Sequence, residues 1–525
     1  MTGHFLNQRS GFLRARRVLG GETSRVADAV WWSEGRVRAV GPARDLIRSV
    51  PRGTPDYDLP GALVTPGLVD GHTHFLMWAL NRRRVQLAGV RTRTEAVRRV
   101  ASARPVQGWV MGQGWDANDW IEAPDRQALD AVQPGPVYLD SLDVHAAWVN
   151  SAALRLAGIT AETPDPFGGR IVRDAAGQPT GVLVDRAVEL MTPHLPDPPI
   201  DLVVEALREA QAEAHRLGVT GIHDVEAELA LQGFRHLEAA GELRLRVLFH
   251  PPVAALPRLI EAGVRSGEGS PWLRWGGVKL FLDGSLGSRT AWMLEPYRGT
   301  TDRGLPLATA EDAAAAMRMA AGAGIATTVH AIGDAAVRRA IDLVTGLPRT
   351  GVPHRIEHFQ CVHPVDLARP ARAGIVVSMQ PAHILTDVPL VERHWGERGR
   401  GAYAFRSILR TGATMVFGSD VPVASIDPRE GVFAAMERRT EGGPAGGWYA
   451  DERLDLETTL AAYSAAAAVA GGVAERSGRL VPGFDADLVA WEVDPAAELG
   501  GDGEAFRQGR AVLTVVDGEV VMRAP

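Results

Sequence analysis

The chain has almost no lysine: of the 56 basic residues among its 525, Lys279 alone is lysine, which leaves 56 − 1 = 55 arginines. It has one cysteine, Cys361, so no intrachain disulfide can form, which fits a reducing cytoplasm. Met1 to Arg17 lacks the continuous apolar stretch of a secretory leader, and no membrane span is needed to account for the composition. A basic block is also missing. With a net charge of −7, a pI near 6.1 and both signs mixed along the chain, nucleic acid is not an expected partner. No internal repeat is present. A cytoplasmic location is expected, with a small-molecule substrate rather than nucleic acid or a membrane as partner.

The hydrophobic share of 46% over this length implies one large domain with at least one satellite. From residue 65 to about 425 one pattern keeps returning, a short apolar run that ends in a polar or metal-capable residue, often followed by an amphipathic helix. The runs are Leu68–His74, Thr220–Asp224, Leu245–His250, Gly277–Asp283, Ala326–His330, Arg355–His358, Ile375–Gln380 and Thr414–Asp420. After Asp201 as N-cap, Val203, Leu207, Ala210, Ala214 and Leu217 fall on one helical stripe closed by Gly218. Ala335–Leu347 and Arg429–Arg439 carry the same periodicity. Eight strands alternating with helices predict an α/β fold, a (β/α)8 or TIM barrel, with function at the C-terminal strand ends.

Two parts break that rhythm. Leu13–Val18, then Val30–Val40 interrupted by Ser33-Glu34-Gly35, read as strand, turn and strand; Ala486–Val493 and Val512–Val521 broken by Asp517-Gly518 read likewise. Residues 1–62 and 475–525 are therefore expected to form a composite β-sandwich, and 63–474 the barrel. Residues 78–199, between the first two strands, are too many for a structureless loop and predict a folded insertion over the barrel mouth.

The lone lysine gains meaning from its neighbours. An arginine-rich chain keeps lysine by chance, as a buried amine bonded to a carbonyl, or where a deprotonated amine is needed, because guanidinium cannot serve as one. His72 and His74 lie two apart on a strand and so share a face. His330, His358 and Asp420 end later strands, and Lys279 lies within the fourth. Taken singly, each histidine also reads as a hydrogen-bonded core residue; jointly, nitrogen and carboxylate donors at one mouth suit a divalent metal with open coordination. A lysine that adds carbon dioxide becomes a bidentate anion able to offset the repulsion between two cations. His4, His194, His215, His236 and His394 read as ordinary surface residues.

The set Gly67-Leu68-Val69-Asp70-Gly71-His72-Thr73-His74, Lys279, His330, His358 and Asp420 resembles the amidohydrolase superfamily. Val278–Ser285, His330–Asp334, Arg355–His358, Gln380-Pro381, Gly418–Pro422 and Gly483–Leu488 resemble its branch of N-substituted formamide deformylases and YtcJ-like hydrolases. The resemblance implies that His72, His74 and Asp420 hold one metal, that His330 and His358 hold the other, and that carbamylated Lys279 bridges them. Zinc is expected, with manganese, iron or nickel also suited to these donors. The implied reaction is attack of a metal-bound hydroxide on an amide-type carbonyl of an N-acyl or N-formyl amine, with Asp420 moving the proton. Metal-dependent isomerisation or decarboxylation, and a catalytically silent binding homologue, are the competing readings. Trp115, Asp116, His145, Arg289 and Gln380 are the candidate substrate contacts; Arg289 could instead make a structural ion pair, and Trp115, Trp120 and Trp148 could pack the insertion's core. The branch usually has glycine where Asp143-Val144-His145 carries valine. A homodimer is expected by family habit.

Overall fold

A computed structural model describes residues 9–21, 27–441, 443–444, 446–495 and 502–525; His4 lies outside them. The eight chemistry-bearing runs form parallel strands: β1 (Leu68–Thr73), β2 (Val219–Val225), β3 (Arg246–His250), β4 (Val278–Phe281), β5 (Thr327–Ala331), β6 (Arg355–His358), β7 (Val376–Met379) and β8 (Met415–Phe417). They lie in two all-parallel sheets. One runs from Leu273–Trp275 through β3 and β2 to β1, and the other runs β4-β5-β6-β7-β8. Single parallel bridges, Pro252–Lys279 and Thr73–Val421, join the sheets at both edges.

Strand lengths differ from those expected at the fourth and eighth positions. β4 stops at Phe281, because Asp283 turns away to accept backbone N–H groups of Trp292, Ile332 and Gly333 at 2.8–3.0 Å. β8 stops at Phe417, so Asp420 lies three residues beyond the strand with a left-handed φ of 60°. The helix Ile200–Arg216 also begins differently from the expected cap. Pro199, extended at φ −57° and ψ 145°, precedes it, and Asp201 falls in the first turn, where a carboxylate suits the helix dipole. Its stripe of Val203, Leu207, Ala210 and Ala214 is buried, and Gly218 ends it at φ 81°. Helices Asp334–Val344 and Pro428–Glu437 cover the other two periodic segments.

Strands from both ends of the chain share one seven-stranded sheet. Its order is Glu519–Arg523, Arg510–Val516, Leu488–Glu492, Asp56–Pro66, Gly11–Val18, Ala29–Ser33, Arg36–Gly41. Glu34 and Gly35 (φ 56° and 74°) and Asp517 and Gly518 (φ 52° and 79°) make its two tight hairpins, whose mirror-image turns match strand twist. The hydrogen bonding records one sheet here rather than two facing ones. Residues between β1 and β2 form a second sheet, of six strands, from Val85–Gln86 to Pro179–Asp185. Among the described residues no helix is long and apolar enough to cross a membrane.

Trp491 ties the seven-stranded sheet to the parallel strands' core. Its ring is fully buried and lies 5.1 Å from Phe506, its Nε1 donates to Thr65 Oγ1 at 3.0 Å, and a side chain at Gly218 would collide with it. Trp491→Ala should lower the unfolding free energy by about 3–5 kcal/mol. A denaturant titration reads this directly, and a loss below about 1 kcal/mol would mean that the two layers do not depend on this ring.

Candidate metal centre and cavity

Two glycines let the ends of β1 and β8 meet. A Cβ on Gly418 would collide with the backbone nitrogen of His72, and one on Gly71 would lie 2.6 Å from the carbonyl oxygen of Phe417. The backbones then bond directly, Asp420 N–H to His72 O at 2.8 Å and His74 N–H to Val421 O at 2.9 Å. Asp70 serves the same junction, accepting from the N–H groups of His72 (3.1 Å) and Ser419 (2.9 Å), and burial pushes its carboxyl up to about 7.

Asp420 becomes the hub of a histidine cluster. Its Oδ1 lies 3.3 Å from His72 Nε2 and 3.4 Å from His74 Nε2, and its Oδ2 lies 4.0 Å from both His358 Nδ1 and His383 Nε2. Burial alone would raise its carboxyl, but His72, His74 and His358 outweigh burial and hold it well below the usual carboxylate range. His72, His358 and Asp420 each offer a ligand atom within 4.8 Å of the others. Lys279 Nζ stands 3.4 Å from His72 Nε2, and burial pulls its amine down to about 8 against the attraction of Glu357 and Asp420. His330 joins through its ring, 4.4 Å from that of His358. Burial holds both His330 and His358 well below the usual imidazole range.

These residues fit a divalent ion. His358 Nδ1 is buried without a hydrogen-bond partner, and His72 Nδ1 is committed to Glu357 Oε2 at 2.5 Å, leaving Nε2 for the cluster. Such a carboxylate fixes the tautomer and orientation of a ligating histidine. Glu357 is itself gripped by Arg355, at 2.5 Å from Nε to Oε1 and 2.9 Å from Nη2 to Oε2. Glu357 and Arg355 are absent from the expected site. Their sequence signal is two opposite charges at alternate positions of the short run that ends in His358, which places both on one face.

A cavity of about 410 Å³ opens on the cluster, with His330, His358, His383 and Asp420 in its wall. Of the five expected substrate contacts, Trp115, Asp116, His145 and Arg289 line it, whereas Gln380 does not; Gln380 is buried with Nε2 unpartnered. Trp115 also packs the insertion, 6.3 Å from Trp148, with its Nε1 bonded to Leu139 O at 2.9 Å, so wall and core share one ring. Arg289 is exposed and forms no ion pair among the described residues. His215, expected at the surface, is buried at 4% exposure; its Nε2 reaches Arg244 O at 3.1 Å under the seven-stranded sheet, a partner that helical periodicity does not reveal.

His145 enters the cavity from the insertion. Its Nδ1 lies 2.7 Å from Asp185 Oδ1, and this pair, with Asp143, overcomes burial and raises the imidazole to about 8. Asp143 pins the insertion to the loop after β4 by accepting from Ser285 Oγ at 2.5 Å and Ser288 Oγ at 2.7 Å. Between them Val144 is held at φ 59°, a conformation costly for a β-branched residue.

Residues 57–522 match the model of the Amidohydrolase family. LONG AFTER FAR-RED 3 of Arabidopsis thaliana is 34% identical, covering 88% of this chain and 83% of its own length. YtcJ of Bacillus subtilis, which carries the amidohydrolase name, is 30% identical over 94% of this chain and 96% of its own. N-substituted formamide deformylase of Arthrobacter pascens is 28% identical over 94% of each. An uncharacterized metal-dependent hydrolase from Pyrococcus horikoshii superposes with a TM-score of 0.73 at 28% identity, over 92% of this chain and 98% of that one.

Glu357→Gln should weaken zinc binding about 10–100-fold, read by competition with a chromogenic chelator. Unchanged affinity in a folded variant would remove Glu357 from the site. Val144→Gly should stabilise the protein by about 1 kcal/mol in urea, the relief of backbone strain less glycine's entropy cost. A destabilised variant would show that the valine side chain is worth more than its strain.

Proposed function

The chain belongs to the amidohydrolase family, and on that footing we propose that it hydrolyses a carbon–nitrogen amide-type bond of an N-acyl or N-formyl amine. The observation that carries this reading is the Asp420 hub, an ionised carboxylate that faces four imidazoles at 3.3–4.0 Å and borders a cavity of substrate size. The formamide chemistry in the name of the Arthrobacter relative supports the substrate class. A (β/α)8 barrel is the fold proposed for the eight parallel strands, supported by the two bridges that link their sheets.

His72, His74 and Asp420 would hold one divalent ion, zinc in this reading, and His330 and His358 a second, with Lys279 carbamylated between them. An amine pulled down to about 8 loses its proton readily enough to add carbon dioxide, which arginine cannot do. When bound, such ions supply Lewis acidity toward the carbonyl oxygen and make water more acidic. Asp420 takes a proton from the attacking water as its oxygen bonds to the carbonyl carbon. Asp420 then returns that proton to the nitrogen as the carbon–nitrogen bond breaks, releasing a carboxylic acid and an amine. His145, oriented by Asp185, keeps its second ring nitrogen for the bound substrate.

A screen of N-formyl and N-acyl amines with zinc-loaded protein in bicarbonate should release free amine from at least one of them. Lys279→Arg should cut kcat/KM by about a thousandfold or more. Products of unchanged mass, or carbon dioxide without amine, would replace hydrolysis by isomerisation or decarboxylation. Normal turnover of Lys279→Arg at full metal content would remove the bridge.

A further inference from the structure

A second cavity, of about 430 Å³, opens where the insertion meets the helices Phe75–Asn81 and Ile200–Arg216, and it shares no wall residue with the first. Its wall carries Arg83, Arg84, Arg99 and Arg104 and no aspartate or glutamate. That balance runs against the chain, whose acidic residues outnumber its basic ones by 63 to 56.

Two of the four guanidiniums are answered from outside the cavity. Arg83 pairs with Glu209 at 2.9 Å and Glu205 at 3.3 Å, and Arg99 with Glu95 at 2.7 Å. Arg84 and Arg104 form no ion pair among the described residues. Among the described residues the Arg84 guanidinium donates only to Asn81 Oδ1, at 2.9 Å. Burial pulls its guanidinium below the usual range against the attraction of Asp140, a carboxyl that burial itself pushes up to about 6 and that accepts from Tyr138 OH at 2.8 Å. A partly desolvated guanidinium with no carboxylate at ion-pair distance is costly, and an oxyanion that takes its two parallel N–H groups offsets that cost.

The rest of the wall is mostly apolar, with Gln86, Ser102 and Gln107 as its uncharged polar members. Trp109 is buried, Val106 is 66% exposed, and Met111 and Leu202 also line the cavity. A volume near 430 Å³ suits a small organic molecule. We propose that this cavity binds an amphiphilic organic oxyanion, its carboxylate or phosphate head on Arg84 and Arg104 and its apolar body against Trp109 and Val106. The site is separate from the metal centre and does not depend on the reaction proposed there.

Calorimetric titration of the metal-loaded full chain with phenyl phosphate, benzoate, inorganic phosphate and phenol tests this. Phenyl phosphate or benzoate should bind once per chain and weaken as salt is raised, because the charges are only partly buried. Inorganic phosphate and phenol, each lacking one half of the chemistry, should bind at least about tenfold more weakly. Arg104→Leu and Arg84→Met should each weaken the organic anion about tenfold or more. Arg104 is exposed, so its variant keeps the test open should Arg84→Met fail to fold. Unchanged affinity in Arg104→Leu, or no binding of either organic anion at about 10 mM, would overturn the assignment, since 10 mM lies above any useful affinity. Inorganic phosphate binding as tightly as phenyl phosphate would overturn the apolar half.

Discussion

Glu357 is a carboxylate with no exposure to water, and the metal centre depends on how its charge is balanced. Burial works to neutralise it, but Arg355 on one side and His72 on the other outweigh burial and hold it ionised, well below the usual range. Arg355 is shared further, through Nη2 to Gly71 O at 2.6 Å and through Nη1 to His223 Nδ1 at 2.8 Å. One buried guanidinium thus fixes the backbone of the first strand, the orientation of the His72 imidazole and the charge of the sixth strand. Buried ion pairs of this kind stabilise little on balance, because desolvation cancels much of the attraction. Their use here is positional, since removing any member leaves a charge without an answer.

The parallel strands were legible because each is short and seven of the eight runs end in a histidine or an aspartate, the exception being Ile375–Gln380. His72, His358 and Asp420 converge because the two parallel sheets, bridged at Thr73–Val421, deliver their strand ends to one side. What connects them was less legible. The Glu357–His72 bond joins residues 285 apart in sequence, and the His145–Asp185 bond joins residues of the insertion 40 apart; no local period announces either pairing. Gln380 follows β7 as the strand pattern implies, yet its side chain turns into the packed interior and misses the cavity. Helix starts were misread where proline set the boundary, as at Pro199, because a side-chain cap and a fixed φ are alternative ways to end an extended segment.

Division of labour follows from the same architecture. The parallel strands supply the residues that would hold a metal, while the six-stranded insertion supplies Trp115, Asp116 and His145 to the cavity wall. Asp143, clasped by Ser285 and Ser288, is the rivet between the two. Side chains on the insertion can therefore change what is bound without moving the groups that would carry the proton.

The strand Asp56–Pro66 sits between Gly11–Val18, made shortly before it, and Leu488–Glu492, made near the other end of the chain. During synthesis its inner edge must stay unpaired while everything between them leaves the ribosome. An open edge held that long invites pairing with another nascent chain, the hazard that long-range strand partners carry. The exposed Asp56 and Asp58 and the proline at position 60 precede the waiting segment 62–66, and charge and a missing N–H there keep a wrong neighbour from extending along the strand.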